Sequence, residues 1–267
     1  MQPFHLTRGS TPLLVSVPHA GIEVPDAIAA RFTEAARALP DTDWHVDRLY
    51  DMALELGAGL LAATHSRYVI DLNRDPDGTP LYPGADNTEL CPTSLFDGGP
   101  LYRDGAAPDA DEVTARRDAY WKPYHAMLAA ELDRLKRKHG YALLYDAHSI
   151  RGQVPRFFEG TLPDLNIGTG GGKTADPALT IRLTLLCQDT HGYETAVNGR
   201  FKGGYITRRY GDPAAGIHAV QMELAQSTYM DEDPPYAYDE EKADRLRPLL
   251  RRVLEKMLEW GARKYGR

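Results

Sequence analysis

The chain has 267 residues, 42% of them hydrophobic, and its 38 acidic against 31 basic side chains give a formal net charge of −7. This balance argues against nucleic-acid binding, which requires a basic surface. No run reaches the roughly 18 apolar residues of a membrane span, and no apolar leader follows Met1. Cys91 and Cys187 are the two cysteines, so a disulfide framework is not expected. We therefore expect a soluble cytoplasmic protein.

Short apolar runs alternate with longer amphipathic stretches along the chain. The runs predict strands at residues 13–17, 59–64, 68–72, 141–147, 193–197 and 219–225. The amphipathic stretches predict helices at residues 25–39, 44–56, 109–139, 176–189 and 239–264. This alternation predicts an α/β fold with helices on both faces of a sheet. Composition does not shift along the chain, so residues 1–267 are expected to form a single domain.

Three local features refine this prediction. Pro123 lies inside the third helix, where it predicts a kink or two consecutive helices. Asp176 followed by Pro177 is typical of a helix N-cap with proline in the first turn. Residues 75–108 are rich in Pro, Gly, Asp and Thr without periodicity. A segment of this length is usually a functional loop rather than a linker.

Two histidines stand in equivalent places. His19 follows the strand at 13–17, and His148 ends the run that begins at Tyr141. Ligands of open α/β sheets collect at the carboxyl ends of strands. Either histidine alone is better explained as structural, but two imidazoles converging at that edge indicate a metal site.

A catalytic zinc site typically has three protein ligands and one open position. The third ligand is expected in the acidic segment 41–47, where Asp43 precedes the predicted helix at residue 44. Asp43 could cap that helix with or without binding a metal. Asp41, Asp47 and Glu23 remain alternatives.

Glu223 interrupts an apolar strand pattern near the end of the chain. A buried carboxylate without a partner costs several kcal/mol, so Glu223 should face an arginine or a metal-bound water unless it lies on a solvent-exposed edge. In such surroundings its pKa would rise, and it could serve as a general base and then a general acid.

Several cations follow predicted strands in this acidic protein: Arg74, Arg151, Arg156, Arg200 and Lys202. Arginine binds carboxylates bidentately, so the group indicates a small anionic substrate. The glycine-rich run 168–174 looks like a phosphate-binding loop, but Ile167 stands where that motif needs its first glycine. We interpret this run as a loop near a pocket.

Six segments together resemble the N-formylglutamate deformylase (N-formylglutamate amidohydrolase) family. They are SVPHAG at 16–21, DTDWH at 41–45, SRYVIDLNR at 66–74, DAHSIR at 146–151, NGRFKGG at 198–204 and QMELAQS at 221–227. The resemblance covers nearly the whole chain. It implies a three-layer α/β/α fold with a mixed sheet, similar to zinc carboxypeptidases, and hydrolysis of N-formyl-L-glutamate to formate and glutamate at the end of a histidine-degradation route.

The resemblance also implies roles for individual residues. His19 and His148 would bind Zn²⁺, Glu223 would be the general base, and Asn73 with Arg74 would bind a substrate carboxylate. The H-x-x-E spacing of the carboxypeptidases is absent after His19, so Asp43 is taken as the carboxylate ligand.

Other parts of the predicted mechanism stay open. Arg151 or Arg200 would stabilise the oxyanion, and Arg200 or Lys202 would bind the second substrate carboxylate. Asp146 would orient a metal-bound imidazole. A site of this type also suits other first-row metals. Two alternatives remain: hydrolysis of another N-acyl amino acid or a peptide, and metal-dependent binding of acidic amino acids without turnover.

Overall fold

The computed structural model describes residues 2–81 and 83–266. Its strands are β1 (Phe4–Thr7), β2 (Leu13–Val17), β3 (Gly59–Ala63), β4 (Ala142–Ile150), β5 (Leu165–Gly168), β6 (Thr195–Val197) and β7 (Ile217–Ala225). They form a sheet in the order β1-β3-β2-β4-β7-β5-β6. The four central strands β3, β2, β4 and β7 are parallel, whereas β1 pairs antiparallel with β3 and β5 pairs antiparallel with β7. The predicted mixed sheet is confirmed.

The helices are α1 (Asp26–Ala29), α2 (Glu34–Arg37), α3 (Val46–Leu49), α4 (Ala110–Arg116), α5 (Lys122–His139), α6 (Pro177–Gln188), α7 (Tyr205–Tyr210) and α8 (Glu240–Tyr265). Alternate residues of β4 divide between two apolar layers. Leu143 and Tyr145 pack in the layer that contains α6 and α8, and Leu144 packs in the layer that contains α5. Because helices cover both faces, the central strands are mostly buried and mostly apolar. The three-layer α/β/α arrangement follows.

Two predicted helix boundaries have the expected chemistry. The Asp176 carboxylate accepts a hydrogen bond from the Ala178 backbone N–H at the start of α6. A π-helical turn at Arg117–Trp121 separates α4 from α5, directly before Pro123. Since proline has no N–H to donate to the preceding turn, the predicted interruption at this point is confirmed.

Three helix predictions need correction. Residues 25–39 form two four-residue helices rather than one, because the Thr33 side chain caps α2 and ends the preceding segment. Residues 44–56 contain only α3 and a 3₁₀ turn at Asp51–Ala53. The N-cap residue of α3 is His45, in a left-handed conformation, so Asp43 does not cap this helix. The short helix α7 was not predicted.

The predicted strand at 68–72 is a series of turns. Tyr68 and Val69 are buried, which explains the apolar pattern, but the Val69 N–H bonds back to the Ser66 carbonyl. The Asp71 carboxylate accepts a hydrogen bond from the Asn73 N–H at 2.8 Å, closing a further turn. Tertiary contacts therefore replace strand pairing in this segment.

The short strands outside the four-stranded parallel centre were harder to predict than the central ones. The short strands β1 and β5 were not predicted, and the predicted strand 193–197 is reduced to Thr195–Val197. The loop after β5 is held by Asn198, whose side-chain oxygen accepts hydrogen bonds from the N–H groups of Thr169 and Gly171. Those amides are therefore already paired. Residues 75–108 have no helix or strand in their described part. In the same described ranges, no helix is long and apolar enough to cross a membrane.

Candidate metal centre and cleft

The two predicted histidines meet at the carboxyl edge of the parallel strands. His19 lies two residues beyond β2, and His148 lies near the end of the neighbouring strand β4. Their ring centroids are 4.9 Å apart, and each side chain is about 2% exposed. The parallel pairing of β2 with β4 therefore brings together two residues that are 129 positions apart in the sequence.

Asp43 completes the group from a buried loop. Its Oδ2 atom lies 3.0 Å from His148 Nδ1 and 3.6 Å from His19 Nδ1. The Asp43 backbone N–H donates to the His19 carbonyl, which fixes the loop beside β2. One ligand atom from each of the three side chains lies within 4.8 Å of the others. The third position expected for a metal site is thus occupied by a carboxylate.

The hydrogen bonds of the two imidazoles fit a metal ion. His19 Nε2 lies 2.8 Å from the Asp71 carboxylate, and His148 Nε2 lies 3.3 Å from the Asp146 carboxylate. Metal-binding histidines commonly use a carboxylate in this way to fix the ring. Both Nδ1 atoms then face Asp43, and His19 Nδ1 is buried without a hydrogen-bond partner among the described residues. Two nitrogens and a carboxylate oxygen suit a divalent ion of the zinc type.

The charges around the His19, Asp43 and His148 side chains favour the ionised forms of Asp43 and His148. Burial alone would raise the pKa of Asp43, but the imidazoles of His19 and His148 outweigh burial and hold that pKa below its usual range. Burial opposes a charged His148, yet Asp146 and Asp43 raise its pKa well above the usual value. A carboxylate kept deprotonated in this way is ready to bind a cation.

The three alternative carboxylates lie elsewhere. Asp41 Oδ2 accepts hydrogen bonds from the Tyr68 hydroxyl and the Phe96 N–H, and burial raises the pKa of this carboxyl. Asp47 is exposed. Glu23 lies on the surface, 3.7 Å from His65. None belongs to the three-residue group around His19.

Glu223 faces the same edge from β7. It lies opposite His148 in the β4–β7 ladder, and its side chain is 6% exposed. Its Oε2 accepts a hydrogen bond from Gln221 Nε2 at 2.9 Å. Burial raises the pKa of Glu223 to about 8, against the opposing effect of a charged His148. The partner that the structure shows for this carboxylate is therefore an amide, which differs from both the arginine and the metal-bound water that we predicted.

A cleft of about 590 Å³, open to solvent, lies over this group. Its walls include Arg67, Asn73, Arg74, Phe96, Phe157 and Arg200, together with His19, His148 and Glu223. Arg74 is held by Thr88, whose carbonyl and hydroxyl oxygens accept hydrogen bonds from its guanidinium. Asn73 lies 3.1 Å from His148 Nε2. Loop residues 86–88 also line the cleft, in agreement with the functional loop predicted at 75–108.

Three of the five predicted cations do not line the cleft: Arg151, Arg156 and Lys202. The Arg151 guanidinium forms an ion pair with Asp233 at 2.8 Å, and Arg151 does not line the cleft. Arg151 lies just beyond the end of β4, and its side chain is directed to Asp233. Lys202 is exposed, and it does not line the cleft either. Of the cations proposed for the substrate, Arg74 and Arg200 are the two that the structure places at the site.

Sequence analysis did not single out Arg67, Asp71 or Gln221. The Arg67 guanidinium is buried and lies 2.7 Å from Asp71 and 3.3 Å from Asp43. Its charge helps to keep the pKa of Asp71 well below the usual value, against the effect of burial. The available signal was an arginine and an aspartate four residues apart inside an otherwise apolar segment, a pattern that a strand of the sheet core does not tolerate.

Comparisons with known proteins agree with this geometry. Residues 11–230 match the family model of the N-formylglutamate amidohydrolases. An N-formylglutamate deformylase from Pseudomonas putida is 52% identical over 264 residues, covering 99% of this chain and 98% of that protein. A second one, from Pseudomonas aeruginosa, is 55% identical over 259 residues, covering 97% of each chain.

A solved structure supports the same relationship. The crystal structure of N-formylglutamate amidohydrolase from Ralstonia eutropha JMP134 superposes with a TM-score of 0.83 at 27% identity, covering 99% of this chain and 100% of that one. The resemblance indicated by the six sequence segments is confirmed. The chain belongs to the N-formylglutamate amidohydrolase family.

Proposed function

We propose that this chain hydrolyses N-formyl-L-glutamate to formate and L-glutamate, with one zinc ion bound by His19, Asp43 and His148. The observation that carries the proposal is the buried, unpartnered Nδ1 of His19, aimed at Asp43 next to the Glu223 carboxylate. Family membership supplies the substrate. When bound, a divalent ion polarises the formyl carbonyl and makes a nearby water more acidic.

Glu223 moves the protons in this proposal. Its carboxylate takes one proton from the attacking water as the water oxygen bonds to the formyl carbon. The same carboxyl then gives that proton to the glutamate nitrogen as the C–N bond breaks. A group that accepts and returns a proton works best when its pKa lies near the working pH, and burial raises the pKa of Glu223 to about 8.

The cleft arginines recognise the two carboxylates of the substrate. We assign one carboxylate to Arg74, whose guanidinium is oriented by Thr88, and the other to Arg200, which lines the same cleft. Bidentate pairing fixes the orientation of the substrate as well as its charge. Because Arg151 is paired with Asp233 and does not line the cleft, we do not assign it to the oxyanion.

Formate release from N-formyl-L-glutamate tests this proposal. The purified full chain is assayed as prepared, after chelation, and after zinc is added back. We expect the release to stop on chelation and to return with zinc. Metal-loaded, folded protein that releases no formate would refute the proposed reaction. Activity that is unaffected by complete metal removal would refute the metal's role.

Substrate variants separate the proposal from its alternatives. N-acetyl-L-glutamate and a dipeptide with C-terminal glutamate present the same carboxylate recognition with bulkier acyl groups. We expect kcat/KM to be highest for the formyl compound. A higher value for either bulkier compound would assign the cleft to another N-acyl amino acid or to a peptide.

A further inference from the structure

The side chain of Gln221 is held in one orientation by the backbone. Gln221 is 3% exposed and precedes Glu223 by two residues, on the same face of β7. Its Oε1 accepts a hydrogen bond from the Gly204 N–H at 2.6 Å. An N–H can pair only with the oxygen of an amide, so the nitrogen of the amide must lie on the other side. That nitrogen donates to Glu223 Oε2 at 2.9 Å.

The backbone donor at Gly204 is itself fixed. A Cβ atom at this position would lie 2.1 Å from the Asn73 amide nitrogen, so a larger residue would displace the Asn73 side chain. Two residues later, the Ile206 N–H donates to Asn73 Oδ1 at 2.8 Å. Asn73 in turn lies against His148. The start of α7 is thus tied to the metal group on one side and to Gln221 on the other.

We propose that Gln221 is a positioning residue for Glu223. Within the described part of the chain, Gln221 is the one group that donates a hydrogen bond to the Glu223 carboxylate. By holding Oε2, it directs Oε1 toward the reacting water. This inference rests on the proposed function, because it assumes that Glu223 transfers protons. Gln221 lines the cleft beside Glu223, and its proposed effect on the reaction is transmitted through the Glu223 carboxylate.

Asn166 provides a matched control. It lies on β5 opposite Glu223 and is 2% exposed. Its amide nitrogen donates to the backbone carbonyls of Glu223 and Pro163 at 3.1 and 2.7 Å. Asn166 therefore supports the strand at this position but does not contact the carboxylate. Replacing either amide removes buried hydrogen bonds, whereas only Gln221 acts on the Glu223 side chain.

The test compares Gln221→Met and Asn166→Leu in the metal-loaded full chain. We expect Gln221→Met to lower kcat about 10- to 100-fold, the usual loss when a supporting hydrogen bond is removed, with KM and metal content unchanged. Asn166→Leu should keep kcat near that of the parent. Equal kcat losses in the two variants, or an unchanged kcat in Gln221→Met, would overturn the inference. If Gln221→Met does not fold, Gln221→Ala removes the same donor without filling the space, and we expect the same loss of kcat.

Two further readouts isolate the positioning role. Adding Gln221→Met to Glu223→Gln should cause no further loss of kcat, since Gln221 acts through Glu223. A further loss of similar size would contradict this. Crystal structures of the two single variants give a result independent of turnover: the Glu223 carboxylate should move in Gln221→Met and stay in place in Asn166→Leu. If the Glu223 carboxylate does not move in Gln221→Met, the positioning role is refuted whether or not the parent is active. If the parent releases no formate, the proposed function is refuted, and the crystal structures still test the positioning role.

Discussion

Four buried histidines divide into two pairs with different surroundings. His19 and His148 lie at the carboxyl edge of the sheet, where a carboxylate approaches one ring nitrogen and Asp43 faces the other. His125 on α5 and His218 at the start of β7 are equally buried. Burial alone therefore does not distinguish a candidate metal ligand from a structural histidine. The partners of the ring nitrogens do.

The ring nitrogens of the second pair have neutral hydrogen-bond partners. The four nitrogens of His125 and His218 meet the Tyr210 hydroxyl, the Leu72 carbonyl, the Asp176 backbone N–H and the Tyr265 hydroxyl. Burial lowers the pKa of both histidines to about 4. All four nitrogens are satisfied without a cation. In contrast, His19 Nδ1 is buried and unpartnered among the described residues, which makes that position incomplete without one.

The largest expected effect is a loss of kcat on replacing Glu223, and it is compared with the replacement of His218 on the same strand. Glu223→Gln should lower kcat by about 10²- to 10⁴-fold, the usual contribution of a general acid–base residue, while the bound metal is retained. His218→Gln, at the start of the same strand, should leave kcat unchanged because His218 lies away from the cleft. Steady-state formate release and metal analysis of both variants measure this contrast. Near-normal turnover in Glu223→Gln would remove Glu223 from the proton-transfer role.

The residues that hydrogen-bond the two pairs of histidines should also differ in their effect on metal affinity. Asp71→Asn removes the carboxylate that fixes His19 and should weaken metal binding about 10- to 100-fold. Tyr210→Phe removes the hydroxyl that meets His125 and should not alter metal affinity. Competition with a chelator of known affinity measures both. Equal affinities for the Asp71 variant and the parent would show that this carboxylate does not support the ligand.

The smallest effect concerns stability and pH. The pKa of His125 is about 4 in the folded chain, against an ordinary value of 6.5. The unfolded chain therefore binds a proton more readily as the pH falls from 6.5 to 4. The contribution of a neutral His125 is complete above pH 6.5 and declines through that window, by at most about 3 kcal/mol for a shift of this size.

Urea unfolding at several pH values between 7.5 and 4.5 measures this decline. His125→Gln should reduce the dependence of the free energy of unfolding on pH in that range. The control variant His191→Gln, at an exposed histidine, should show the same dependence of the free energy of unfolding on pH as the parent. An identical pH profile in the His125 variant and the parent would contradict the structural role given to His125.

The central part of the fold could be predicted because its physics is local. Strands β2, β4 and β7 are buried on both faces and appear as continuous apolar runs, and α8 combines amphipathic periodicity with an Asp239 N-cap. Residues 68–72 have similar composition, but their backbone carbonyls bond to the Arg116 guanidinium instead of a strand. That contact links residues almost fifty positions apart, and no local pattern contains it.

The residues of the candidate site could be predicted where they belong to the central strands, and could not be predicted where they belong to turns. His19, His148 and Glu223 come from strands of the parallel core or directly follow them, so their convergence follows from the sheet. Arg67 and Asp71 come from turns, whose direction depends on tertiary contacts. Arg151 was assigned from its proximity to His148 in the sequence, but it lies beyond the end of β4 and pairs with Asp233, which is 82 positions away.

Metal content is the most direct test of the proposed metal site. We expect one divalent ion per chain in the parent, none in His19→Ala or His148→Ala, and one ion per chain in His125→Gln and His218→Gln. All five proteins are purified alike, loaded with zinc, dialysed and analysed for metal and protein. Retention of a full equivalent in His19→Ala, or its loss in His125→Gln, would contradict the division of the buried histidines into a metal-binding pair and a structural pair.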